Sequence, residues 1–76
     1  MTLFEYINDN IERIKFDVKI GIIPCTLIKH YQIYRMYSIY RCQNMSVNDA
    51  VFNVCEAFSV DKSWVFIIIK KMQTEI

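Results

Sequence analysis

From Leu3 onward, apolar residues recur at Phe4, Ile7, Ile11, Ile14 and Val18. Spacings of three and four place them on one face of a helix. Glu5, Asp9, Glu12, Arg13 and Lys15 fall mostly on the other side. Thr2 followed by Glu5 is a capping box, and Gly21 stands where a helix should stop. The pattern predicts a first helix near residues 2–19. Pro24 suits the opening turn of a second helix, near 24–43, because a missing N–H does no harm there. Within it Tyr31, Tyr34, Tyr37 and Tyr40 repeat every third residue. A period of three drifts by about 60° per triplet around an α-helix, so the tyrosines cover a broad arc. Ile33, Met36 and Ile39 form a second arc, with Gln32, Arg35, Ser38 and Arg41 on the remainder. A helix apolar over most of its circumference is central, or shared with a partner. After the linker Asn44, Met45 and Ser46, Ser46 is an N-cap for a third helix near 47–58. Asp61 caps a fourth near 61–73, after a turn of Ser59 and Val60.

The expected fold is therefore all-α, a small bundle of about four helices. The 76 residues make one domain, with 1–43 as supporting helices and 47–73 as a terminal helix pair. One glycine and one proline are too few for the turns of a sandwich or barrel. Nine basic against eight acidic residues, net charge +1, exclude a histone-like polycation and an acidic disordered tail. Apolar residues make up 54%, yet a chain this short buries only about 60% of its unfolded surface. A homodimer or a docking surface is expected on that ground. The beginning MTLFEYINDN lacks the basic region of a signal peptide. No apolar run approaches the roughly 20 residues of a membrane span. A cytoplasmic protein is expected, without membrane contact.

Cys25, Cys42 and Cys55 are odd in number and show no C-x-x-C spacing. They read as reduced thiols, and as small buried apolar residues. Cys25 and the lone His30 are five apart with no second ligand pair, so no metal site or cofactor is expected. Gly-rich phosphate loops and paired catalytic acids are missing, and no enzyme is expected.

The informative stretch is Val51 to Lys70. Its first part reads Val54-Cys55-Glu56-Ala57-Phe58-Ser59-Val60-Asp61. Lys62-Ser63-Trp64-Val65 follows, and Ile68-Ile69-Lys70-Lys71-Met72 closes it. Cys55 is expected as the small residue at the helix crossing. Val54, Phe58, Val60, Val65 and Ile68 should seal the pair. This stretch resembles the helix-turn-helix of small bacterial, phage (prophage-like) or mobile-element transcriptional regulators, and the preceding helices fit the small all-α bundles in which such motifs occur, similar to homeodomain-like or sigma-factor-like domains. The resemblance implies a double-stranded DNA partner, with the last helix in the major groove. Lys62, Ser63, Phe66, Ile67 and Lys70 would face bases or phosphates, and Lys71 would position the helix. Lys29, Arg35 and Arg41, in a stretch free of acids, are candidate phosphate contacts.

Two departures from the pattern stand out. Ser59 occupies the turn position that favours glycine, and must accept strain or alter the turn. The outward face also carries Phe66 and Ile67 in place of the Arg, Gln or Asn that hydrogen-bond base edges. A second reading therefore stays open, in which Trp64, Phe66 and Ile67 dock a protein and no DNA is bound.

Overall fold

A computed structural model describes residues 1–76. Its five helices are α1 (Leu3–Asp9), α2 (Ile11–Lys19), α3 (Thr26–Cys42), α4 (Val47–Phe58) and α5 (Lys62–Met72). The architecture is all-α, as the periodicity predicts. No helix is long and apolar enough to cross a membrane.

The N-terminal capping box is present. The Thr2 N–H donates to Glu5 Oε1 at 2.8 Å, and the Glu5 N–H donates to Thr2 Oγ1 at 3.2 Å. The first predicted helix is divided, however. Asn10 leaves helical geometry (φ −114°, ψ 20°), and its side-chain amide donates to the Tyr6 carbonyl at 2.8 Å. The apolar spacing from Ile7 to Ile11 to Ile14 runs straight across this break and conceals it. Asn10 is the local cause, since its side chain competes for a backbone partner.

Three left-handed residues reverse the chain, at Gly21 (φ 87°), Asn44 (φ 66°) and Ser59 (φ 54°). Each stands just past a helix. After α2, the Gly21 N–H donates to the Val18 carbonyl and the Ile22 N–H to that of Asp17. After α3, Asn44 donates to Arg41 and Met45 to Tyr40. These are Schellman caps, which use helical carbonyls that would otherwise lack a partner. After α4, the Val60 N–H returns to the Cys55 carbonyl at 3.2 Å. Ser59 thus accepts the left-handed conformation that glycine adopts at less cost. At the next helix start, Ser46 Oγ accepts from the Asp49 N–H at 3.2 Å. Asp61 holds the N-cap position of α5 with extended backbone, but its side chain makes no capping hydrogen bond.

Helices α3, α4 and α5 pack against one another, and α1 covers α3 and α5. The Tyr-rich helix is thereby central. Ile33, Val51, Val54, Val65, Ile68 and Met72 are fully buried, while Phe58 and Val60 lie partly buried at the margin. Phe4 of α1 stacks on Tyr31 (5.5 Å between ring centres) and meets Tyr34 edge-on at 4.8 Å. The ends of the chain also meet. Leu3 N–H donates to the Thr74 carbonyl at 2.8 Å, and Ile76 N–H to that of Met1 at 3.0 Å.

The cysteines depart from the expected burial. Cys25 and Cys42 are exposed and Cys55 is only half-buried. Cys25 sits in the turn that opens α3, and Cys42 ends that helix on its outer side, so neither reaches the core. The small residue fully buried on α4 is Ala50, while Cys55 lines an outer cleft.

Candidate nucleic-acid interface

Helix α5 has two unlike faces. Val65, Ile68, Ile69 and Met72 point inward. Successive residues turn by about 100°, which leaves Ser63, Ile67 and Lys70 opposite the core. Lys62 and Phe66 flank that outer face on one side, with Lys62 Nζ 6.0 Å from the Phe66 ring centre. Trp64 and Lys71 flank it on the other, beside α3. All the α5 residues expected at the surface are exposed there, among them Phe66 (39%), Trp64 (41%) and Ile67 (57%).

The flank beside α3 is a junction of two helices. The Trp64 ring stands edge-on to His30 with centres 5.4 Å apart. Lys71 Nζ lies 3.5 Å from His30 Nδ1. Burial, then Lys71, then Lys29 hold the His30 pKa below the ordinary histidine range. Lys29 and Lys71, far apart in sequence, thus act on one imidazole. Next to Lys29 an open groove of about 590 Å³ runs between α2, α3 and the end of α4. Its lining includes Lys15, Val18, Ile28 and Phe58, and no carboxylate.

The other proposed phosphate contacts are dispersed. Lys29, Arg35 and Arg41 are six residues apart in turn, which places each about 120° from the next around α3. Arg35 projects outward, and Arg41 donates to the Met45 carbonyl at 2.8 Å, holding the α3–α4 turn. Only Lys29 joins the cations of α5.

The start of α5 has the opposite character. A cleft of about 460 Å³ is lined by Asp49, Phe52, Cys55, Glu56, Asp61 and Lys62, among others. Three carboxylates there face one lysine, so Lys62 stands in a mixed field. The positive end of the surface is the last turn of α5, where Lys70 and Lys71 also complement the negative end of the helix dipole.

Sequence reasoning missed His30 and Lys15. Neither belongs to the α4–α5 stretch, and only tertiary packing brings Lys15 beside Lys29 and Lys71 beside His30. No three His, Cys, Asp or Glu side chains converge as metal ligands do. No protein-family model, curated protein or solved structure matches the chain.

Proposed function

We propose that the protein is a DNA-binding transcriptional regulator of the small helix-turn-helix type, with α5 as the helix that meets the major groove. The observation that carries this reading is the pair Lys70 and Lys71 on the exposed last turn of α5, with Lys29 of α3 close enough that its charge and that of Lys71 both act on His30. The chain has a single ion pair within 4.0 Å, between the N-terminal ammonium and Glu75 (3.3 Å). Lys70 and Lys71 thus have no carboxylate within that distance, which leaves them free for phosphates, the source of most of the affinity in such complexes. The three-residue connection Ser59–Asp61 supports the same reading. Phe66 and Ile67 limit base readout to apolar groups such as thymine methyls. A homodimer would double the contacts and read two half-sites. The exposed Phe16, Ile20 and Ile22 at the end of α2 offer apolar surface for that pairing.

The test is fluorescence anisotropy on a labelled random-sequence duplex across a salt series. Affinity should fall steeply with salt. The Lys62→Ala/Lys70→Ala double variant should bind more weakly. Its salt slope should be shallower by about 1 for each phosphate that a lysine no longer neutralises. Unchanged affinity in that variant overturns the residue assignment.

A second reading rests on the exposure of Trp64, Phe66 and Ile67 on one helix. Here that face docks a protein partner. Absence of DNA binding even at low salt, together with loss of association in Phe66→Ser, would establish it instead.

A further inference from the structure

His30 is half-buried at the α3–α5 junction. The groups that face it are Trp64 and Lys71 from α5, and the charge of Lys29, the preceding residue on α3, also acts on it. No carboxylate is among the charges that act on it. The Lys71 ammonium is placed to donate to His30 Nδ1 across 3.5 Å, an arrangement that needs a neutral imidazole as acceptor. Lys71 thus touches the imidazole and Lys29 adds its charge from the preceding position, with no internal counter-charge. Such a cluster gains most from an anion supplied from outside.

We propose that Lys29, His30 and Lys71 form a proton-coupled phosphate site. The proposal rests on the DNA-binding reading and names the duplex backbone as the source of the phosphate. A phosphate oxygen entering the junction takes the Lys71 donor that Nδ1 had accepted. The vacated nitrogen binds one proton from solvent, and the imidazolium then donates to the phosphate. Nothing but that proton is exchanged. In the free protein, burial and the two lysines disfavour the imidazolium. The phosphate reverses the local field and favours its charged form. DNA binding should therefore take up a proton and tighten as pH falls.

His30 is the sole histidine, so its imidazole proton resonances need no assignment. The experiment follows them by NMR from pH 5 to pH 8 with the whole chain, alone and with duplex. Anisotropy is read in parallel for the parent chain and His30→Gln at fixed chloride. The expected result is a raised His30 pKa in the complex. Affinity should increase about fivefold from pH 8 to pH 6, within the limit of about tenfold per pH unit that one proton sets. His30→Gln, checked for native helicity by circular dichroism, should bind with a flat pH profile. Duplex binding with an unmoved His30 pKa, and a parent profile matching His30→Gln, overturns the proposal and leaves the DNA-binding reading standing. Failure to bind duplex at low salt overturns that reading and the nucleic-acid source. Inorganic phosphate at millimolar concentration is then the probe. A rise in the His30 pKa on adding phosphate, which is lost in Lys71→Ala compared with that variant's own phosphate-free value, retains the site for free phosphate, and no rise removes it.

Discussion

Tyr31 donates its phenolic hydroxyl to Asn8 Oδ1 across 2.7 Å, and so fastens the central helix α3 to α1. The bond is partly shielded, and the Tyr31 ring stacks on Phe4 from the same helix. Tyr31→Phe keeps the stacking and removes the bond. It should cost about 1 kcal/mol, the net worth of an ordinary hydrogen bond. Urea denaturation should show a lower midpoint with an unchanged slope.

The left-handed turn at Ser59 carries an avoidable penalty. Its side chain is exposed and its φ is 54°, a region that costs a residue with a Cβ about 1 kcal/mol or more. Ser59→Gly should raise stability by about 0.5–1 kcal/mol after the extra entropy of glycine is subtracted. Ser59→Val should lower it. Thermal unfolding of the three chains gives the order.

The two faces of α5 should answer differently to the same truncation. Ile68 is fully buried and Ile67 is 57% exposed. Ile68→Ala should lose about 2–5 kcal/mol, a large share of what a domain this size possesses. Ile67→Ala should change stability by about 0.5 kcal/mol or less. Its consequences should appear in binding instead.

Acid should weaken the fold through His30. Its folded-state pKa lies below the ordinary value of about 6.5, because burial and two lysines oppose the charge. The unfolded chain then binds more protons than the folded one, so stability falls as pH drops through the ordinary histidine range and further to the folded pKa. In dilute non-phosphate buffer, the denaturation midpoint should decline between about pH 7 and pH 5. His30→Gln should show a smaller decline over that interval. An equal decline in both chains would assign the effect elsewhere.

Thiol accessibility separates the three cysteines. Cys25 and Cys42 are exposed, and Cys55 is half-buried beside Phe52. Under native conditions an alkylating reagent should modify the first two quickly and Cys55 more slowly. Peptide mapping at timed intervals would show two fast sites and one slow site.

Most of the scaffold was legible because local chemistry announces it. Thr2 with Glu5, Gly21 and Ser46 mark their helix ends by hydrogen bonds made within a few residues. The same locality explains the errors. Apolar spacing cannot reveal the break at Asn10, since Ile7 and Ile11 keep helical register on both sides. Cysteine composition favours burial, yet Cys25 and Cys42 stand at the two ends of α3. For the candidate site, the outward residues of α5 followed from its period. The convergence of Lys29, His30 and Lys71 did not, because it joins positions about forty residues apart, and pairings at that separation leave no periodic trace.

The contact between the chain ends bears on how the molecule assembles. Helix caps and the α4–α5 pair need only short loops to close, and so can form early. The bonds from Leu3 to Thr74 and from Ile76 to Met1 close nearly the whole chain, and loop entropy makes such closure the most costly. The seam between the termini would therefore be the last part to form and the first to open. Amide exchange at Leu3 and Ile76 would then outpace that of the buried α3 and α5 amides, and the first helix would act as a latch over an already formed three-helix core.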